Sequence, residues 1–171
     1  MKYLLGSDIH GSVEGTKFLI KKFKDLKCDK LVLLGDYLGG HYSDDQKVID
    51  ILNFFKDDII AISGNCDRYF PEDIFEFELR DDFLIHFGGR FYLFSHGDNL
   101  SFDIDKLLEK DNAYIVHGHT HRVSIRTTSN ITFVNIGSIS LPRGGSKKCY
   151  GILDENGVKI YDVNDQLIAS V

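Results

Sequence analysis

The sequence predicts an α/β protein in which two β-sheets pack face to face with helices on the outside. Two observations predict this fold class. Apolar strand-like segments alternate with helically spaced ones over residues 2–63, and short strand patterns dominate from Phe75 onward. Alternating strands and helices are typical of a parallel sheet with crossover helices. The second half would then supply the remaining strands of both sheets.

The first half of the chain predicts a βαβαβ unit. Its strands are short apolar runs at residues 2–7, 30–34 and 59–63. The first helix is predicted to begin at Ser12, with apolar residues at helical spacing from Phe18 to Leu26. The second helix is predicted over residues 44–55.

The second half predicts a series of short strands and one helix. The strands fall at residues 76–79, 83–87, 91–95, 114–116, 123–126, 131–135, 150–153 and 158–162, and the helix lies near residues 104–109. The 171 residues, 43% of them apolar, are enough for one continuous core and leave little room for a second. We therefore expect a single domain over residues 1–171.

Charge and cysteine usage restrict the expected binding partners and the expected cellular compartment. Lysine and arginine number 20 against 26 acidic residues, a formal charge of −6, so stable nucleic-acid binding is not expected. The three cysteines are widely spaced and form no CxxC pair, which favours a reducing compartment. Because the sequence shows neither a signal-peptide core nor a bilayer-long apolar run, we expect a cytoplasmic protein without membrane partners. The oligomeric state stays open, a homo-oligomer included.

Metal-binding side chains follow several of the predicted strands. The motifs are Asp8-Ile9-His10, Gly35-Asp36, Gly64-Asn65-Cys66-Asp67, Ser95-His96-Gly97 and His117-Gly118-His119-Thr120-His121. Because neighbouring parallel strands end at one edge of a sheet, these side chains should converge there. Oxygen and imidazole ligands suit manganese, iron, zinc or nickel. They are too many for one ion, so we expect two ions, with Asp36 as the carboxylate that bridges them.

The five motifs, D-x-H, GD, GNCD, SHG and GHTH in this order, resemble those of the calcineurin-like metallophosphoesterases, specifically their small bacterial and archaeal phosphodiesterases. The resemblance implies a four-layer αββα sandwich and a metal-dependent phosphodiesterase acting on a small substrate. It also implies in-line attack on phosphorus by a hydroxide that bridges two ions, manganese first, with nickel, iron or zinc as alternatives.

The resemblance further implies which residues do what. One ion would be held by Asp8, His10, Asp36 and His121, and the other by Asp36, Asn65, His96 and His119. The residues expected to be catalytic are Asp36, Asn65, His96 and Asp67, and Asp67 would act by orienting its neighbours.

Two positions depart from the family pattern. Cys66 stands where many larger relatives have a histidine that protonates the leaving group, which predicts slow hydrolysis of simple alkyl esters. Ile136 stands where relatives commonly have proline, and we expect only a small change in loop stiffness.

Several roles stay open at this point. Residues 117, 119 and 121 would share one face of a continued strand, so spacing alone does not exclude His117, which we expect to support the site. Arg68 and Arg143 would contact the substrate or form surface ion pairs. His41 would line the pocket and His86 would support packing. The alternative function is a non-catalytic interaction scaffold on the same fold.

Overall fold

The computed structural model describes residues 1–40, 44–71, 73–99, 107, 109–110 and 112–171. Within them the helices are α1 (Val13–Asp25) and α2 (Asp45–Phe54), with short 3-10 helices at Lys56–Asp58 and Asp67–Tyr69. The strands are β1 (Tyr3–Gly6), β2 (Lys30–Leu33), β3 (Ile59–Ile62), β4 (Leu79–Arg80), β5 (Asp82–Phe87), β6 (Arg90–Ser95), β7 (Ala113–His117), β8 (Val123–Thr128), β9 (Ile131–Ile136), β10 (Cys149–Asp154), β11 (Gly157–Asp162) and β12 (Leu167–Ser170).

These strands form two mixed sheets, as the sequence predicts. The first has the order β12-β11-β10-β1-β2-β3-β4, and the second the order β5-β6-β7-β9-β8. Strands β1 to β4 are parallel neighbours, and so are β6, β7 and β9. The predicted metal-binding motifs follow β1, β2, β3, β6 and β7, which all belong to these parallel sets.

Side chains alternate between the two faces of each strand, so each face of the first sheet packs against a different layer. Leu4 and Leu33 point toward α1 and α2, whereas Leu5 and Leu34 point toward the second sheet, and all four are fully or almost fully buried. A buried parallel strand therefore carries apolar residues on both faces, which explains its continuous apolar run.

The outer face of the second sheet has its own apolar cluster. Leu107, which lies in a helical position, packs there with Leu93, Ala113, Ile115 and Ile131. The rest of the helix predicted near residues 104–109 lies almost wholly outside the described residues.

Helix α1 begins directly behind the first motif. The Ser12 hydroxyl accepts a hydrogen bond from the Gly15 amide at 3.1 Å, so Ser12 rather than Asp8 caps the helix. The Asp8 side chain is thereby left for another role.

The structure differs from the predicted strands in two places. The strand predicted at 76–79 begins only at Leu79, because Phe75 and Phe77 stack at 4.9 Å between ring centroids and pack on the core near the helices. Strand β12 was not predicted, because its residues are mostly exposed and lack an apolar-polar alternation.

None of the helices among the described residues is both long and apolar enough to cross a bilayer. The single domain over 1–171 stays a prediction.

Candidate metal centre

The loops after β1 and β2 are joined by backbone hydrogen bonds. The Asp8 amide donates to the Gly35 carbonyl at 3.1 Å, and the His10 amide donates to the Asp36 carbonyl at 2.9 Å. These bonds set the first two motifs side by side at the carboxyl ends of parallel strands.

Five of the predicted ligands have a left-handed backbone. Their φ angles lie between 47° and 66° at Asp8, His10, Asp36, His119 and His121. This conformation is unfavourable for residues other than glycine and persists only where the surroundings impose it. Backbone strain is therefore concentrated where the motifs meet.

Four of these side chains form a compact group, which we call the inner cluster: Asp8, His10, Asp36 and His121. Their potential ligand atoms all lie within 4.8 Å of one another, and all four residues are buried. His121 Nε2 lies 3.3 Å from His10 Nε2 and 3.4 Å from Asp8 Oδ1. His10 Nε2 lies 3.5 Å from Asp36 Oδ2.

The inner cluster fits a divalent cation. Asp8 Oδ2 accepts a hydrogen bond from the His119 amide at 3.1 Å, but Asp8 Oδ1 is buried and has no hydrogen-bond partner among the described residues. A buried carboxylate oxygen without a partner is costly. A cation would satisfy it, and carboxylate oxygens with imidazole nitrogens are suitable ligands.

A second group, which we call the outer cluster, consists of Asn65, His96 and His119. Asn65 Oδ1 lies 3.1 Å from His96 Nε2 and 3.0 Å from His119 Nδ1. His96 Nε2 lies 3.5 Å from Asp36 Oδ1. Asp36 thus presents Oδ2 to the inner cluster and Oδ1 to the outer one. The structure brings together all seven residues predicted as ligands.

Backbone carbonyls orient one histidine in each cluster. His96 Nδ1 donates to the Leu34 carbonyl at 2.7 Å, and His121 Nδ1 donates to the Leu141 carbonyl at 2.6 Å. Because a carbonyl oxygen only accepts, the proton sits on Nδ1 in both rings. Each ring therefore turns Nε2 toward its cluster, where a cation would take the place of any proton on that atom.

Asp67 lies behind Asp36 and holds its backbone. Asp67 Oδ2 accepts from the amides of Asp36 at 2.7 Å and Gly64 at 2.8 Å, and Oδ1 accepts from the Tyr37 amide at 2.8 Å. The buried carboxylate therefore joins the loops after β2 and β3. A Cβ atom on Gly64 would collide with the Asp36 carboxylate, so this approach requires glycine.

The buried charges in the centre perturb one another. Burial raises the pKa of Asp8 to about 7. Burial also opposes ionisation of Asp36, but its hydrogen bond to His96 and the charge of that ring outweigh burial and lower the Asp36 pKa to about 2. Burial likewise disfavours a charged His96, yet its interaction with Asp36 raises the His96 pKa to about 9. Asp36 and His96 therefore favour each other's charged form.

His117 lies beside the outer cluster but differs from its neighbours. Strand β7 ends at His117, so the expectation that residues 117, 119 and 121 share one strand face is wrong. His119 and His121 belong to the left-handed loop that follows. Burial lowers the pKa of His117 to about 4, which keeps its ring neutral. Its supporting role stays a prediction.

The other residues singled out in the sequence have varied surroundings. Burial raises the pKa of Cys66 to about 12, so its thiol is not a nucleophile at neutral pH. Arg68 and Arg143 are both exposed, and Arg68 Nη1 lies 2.8 Å from Asp98 Oδ2. His86 stacks on an aromatic ring in the second sheet, as expected for packing. Residue 41 lies outside the described residues.

Three supporting residues were missed in the sequence. The hydroxyls of Ser138 and Ser140 donate to the Asp8 carbonyl at 2.8 and 2.7 Å, and Asn135 Nδ2 donates to the Gly118 carbonyl at 2.5 Å. The motif Asn135-Ile136-Gly137-Ser138 was a usable signal, because buried polar side chains after a strand require partners.

Comparison with known proteins gives a consistent result. Residues 1–157 match the model of the calcineurin-like phosphoesterase superfamily domain. Phosphodiesterase YfcE of Escherichia coli strain K12 is 31% identical over 179 residues, which cover 98% of this chain and 95% of that protein. The solved structure of YfcE, a phosphoesterase from E. coli, superposes with a TM-score of 0.88 at 28% identity and covers 100% of this chain and 98% of that chain.

More distant structures share the fold. Vacuolar Protein Sorting 29 from Cryptosporidium parvum has a TM-score of 0.65 at 18% identity, covering 99% of this chain and 96% of that chain. At this identity the likeness concerns the fold alone.

Proposed function

Because the chain belongs to the calcineurin-like phosphoesterase superfamily, we propose that it is a phosphodiesterase that depends on two divalent cations. The observation that carries this proposal is the placement of Asp36. One of its oxygens lies 3.5 Å from His10 of the inner cluster, and the other lies 3.5 Å from His96 of the outer cluster. A carboxylate between two groups of ligands is what a two-metal site needs.

The inner cluster would hold one cation, and Asp36 with the outer cluster would hold the other. Manganese is the first expectation, with nickel, iron or zinc as alternatives. When bound, the two cations supply Lewis acidity, which lowers the pKa of water and neutralises the oxygens of the phosphate. Their charge exceeds that of the two carboxylates, so a phosphodiester anion is attracted to the centre of a protein whose formal charge is −6.

The chain's own residues position the reactants. Asp67 and the two serine hydroxyls fix the backbones of Asp36 and Asp8, so the ligand atoms need little rearrangement. Asn65 and His119 are only half-buried, so we place the phosphodiester on the outer side of the centre.

Leaving-group chemistry determines which diesters should react. The Cys66 thiol, with its pKa raised to about 12 by burial, is a poor proton donor for a departing oxygen. The leaving group must therefore depart as a stable anion. Aryl diesters should be hydrolysed faster than simple alkyl diesters.

The test compares two chromogenic esters with the same leaving group. Chelated protein should be inactive on bis(4-nitrophenyl) phosphate and recover with Mn²⁺, and the reloaded protein should act more slowly on 4-nitrophenyl phosphate. Full activity in chelator would refute metal dependence. A faster reaction with the monoester would refute the substrate class.

The alternative is a non-catalytic scaffold, and it draws on the likeness to Vacuolar Protein Sorting 29. The complete set of predicted ligands favours the enzyme, because a scaffold does not need to keep them. Mn²⁺-dependent turnover separates the two functions. A cytoplasmic location, a single domain over residues 1–171 and a small phosphodiester substrate form part of the proposal.

A further inference from the structure

Two arginines were candidates for contacting the substrate, and their surroundings differ. Arg68 forms an ion pair with Asp98 at 2.8 Å, and the Asp98 side chain is only 12% exposed. Its charge is therefore largely neutralised. Arg143 is exposed, and its guanidinium has no carboxylate partner in the part of the chain that the structure describes. Arg143 is the arginine that remains available to an anion.

Arg143 lies beside the inner cluster. Its amide donates to the His121 carbonyl at 3.0 Å, and the Leu141 carbonyl accepts from His121 Nδ1 at 2.6 Å. The segment 141–143 therefore packs around one predicted ligand. Arg143 is thus joined directly, through its backbone, to a residue of the inner cluster.

Arg143 differs from the predicted metal ligands of the inner cluster in its exposure to solvent. All four residues of the inner cluster are buried, whereas Arg143 is exposed. An exposed guanidinium beside a buried centre would meet a part of the substrate that projects out of the centre, rather than the phosphate held within it. Its forked donors match the paired oxygens of a carboxylate or phosphate.

Building on the proposed phosphodiesterase function, we infer that Arg143 binds a second anionic group on the substrate, outside the diester that is cleaved. The substrate class is then a phosphodiester with a carboxylate or phosphate on its nonreacting arm. Arg143 is a specificity-determining residue that acts mainly on KM.

The test uses two diesters that differ only in the substituent on the nonreacting ring. One is 4-nitrophenyl 3-carboxyphenyl phosphate, and the other carries a neutral carboxamide in place of the carboxylate, with the same 4-nitrophenolate leaving group. We expect the wild type, with Mn²⁺, to prefer the carboxylate through a lower KM. Arg143→Ala should lower kcat/KM for the carboxylate about ten-fold more than for the carboxamide, and Arg143→Lys should restore part of the preference.

A matched control is Arg126, another exposed arginine, which lies on β8 outside both clusters. Arg126→Ala should leave the preference for the carboxylate intact. Equal losses on both substrates in Arg143→Ala, or no preference in the wild type, would overturn the inference. An Arg126→Ala loss as large as that of Arg143→Ala would also overturn it, because general surface charge would then explain the preference.

Binding measurements separate this inference from the proposed function. In the corresponding phosphinates, methylene groups replace both ester oxygens, so no P–O bond to a leaving group remains and calorimetry gives Kd without turnover. If no diester is hydrolysed, the proposed function fails. Arg143 is still supported if the wild type binds the carboxylate-bearing phosphinate more tightly and Arg143→Ala does not. Equal Kd values for both phosphinates in the wild type would contradict it.

Discussion

The two halves of the candidate centre are held in different ways. The inner cluster is buried, and the backbone of its Asp8 is held by the Gly35 carbonyl and by the hydroxyls of Ser138 and Ser140. In the outer cluster, Asn65 and His119 are half-buried, and each lies near its neighbours mainly through side-chain contacts.

If each cluster binds a cation, as proposed, this difference predicts different roles for the two sites. A buried site whose backbone is fixed in advance should retain its ion strongly, because little ordering is left for the ion to impose. A half-buried site should admit substrate and exchange its ion more readily. Asp36 couples the two, since one of its oxygens faces each cluster.

The largest effect is expected at the shared carboxylate. Asp36→Asn removes one negative charge from both clusters at once, so it should lower diesterase activity by about a thousand-fold, in line with the several kcal/mol that metal ions contribute. Turnover of bis(4-nitrophenyl) phosphate with added Mn²⁺ measures this loss. Near wild-type activity in the variant would remove Asp36 from its bridging role.

A pair of histidine variants tests these different roles directly. His121→Ala should abolish tight binding of the inner ion, whereas His119→Ala should weaken only the more readily exchanged outer ion, each by about a hundred-fold or more. Elemental analysis after gel filtration, combined with calorimetric titration of Mn²⁺, distinguishes the two. If both variants lose the same ion with the same affinity change, the clusters do not act as separate sites.

A third variant tests whether the support behind Asp36 matters. Asp67→Ala leaves three buried amides without an acceptor and should lower the free energy of unfolding by about 3 kcal/mol, measured by urea denaturation. It should also weaken Mn²⁺ binding.

Asp162 provides a matched control for Asp67. Its buried carboxylate accepts from the amides of Asn164 and Gln166 in the hairpin before β12, outside both clusters. Asp162→Ala should destabilise the protein without changing Mn²⁺ affinity. An equal loss of affinity in both variants would mean that Asp67 acts only through general stability.

The positions of strands and helices were predictable where the local pattern of apolar and capping residues determines them. Strands β1, β2 and β3 have apolar runs on both faces, and α1 has a serine cap, so their positions follow from short-range chemistry. Strand β12 was not predictable in this way, because pairing with β11 rather than an apolar pattern forms it.

The candidate metal centre was likewise predictable only where local sequence determines it. Which residue types follow each strand is visible in the sequence, and so is their convergence at one sheet edge. The spacing did not reveal that β7 stops at His117, because the left-handed backbone at His119 and His121 depends on bonds from distant loops. The contacts of Ser138 and Ser140 with Asp8 are likewise made over more than a hundred residues.

The smallest effect is expected at the ion pair that joins the loops after β3 and β6. Arg68→Ala should weaken binding of the outer ion by no more than about five-fold, because partly exposed ion pairs contribute little. Lys56→Ala breaks a more exposed ion pair with Glu76, remote from the clusters, and should leave Mn²⁺ binding unchanged. A hundred-fold loss in Arg68→Ala would show that the outer cluster depends on this pair far more than its geometry indicates.

Anomalous diffraction from crystals grown with Mn²⁺ tests most directly whether Asp36 joins two cation sites. We expect two peaks, one among Asp8, His10 and His121 and the other among Asn65, His96 and His119, with the Asp36 carboxylate between them. A single peak, or two peaks that do not share Asp36, would contradict a two-metal centre.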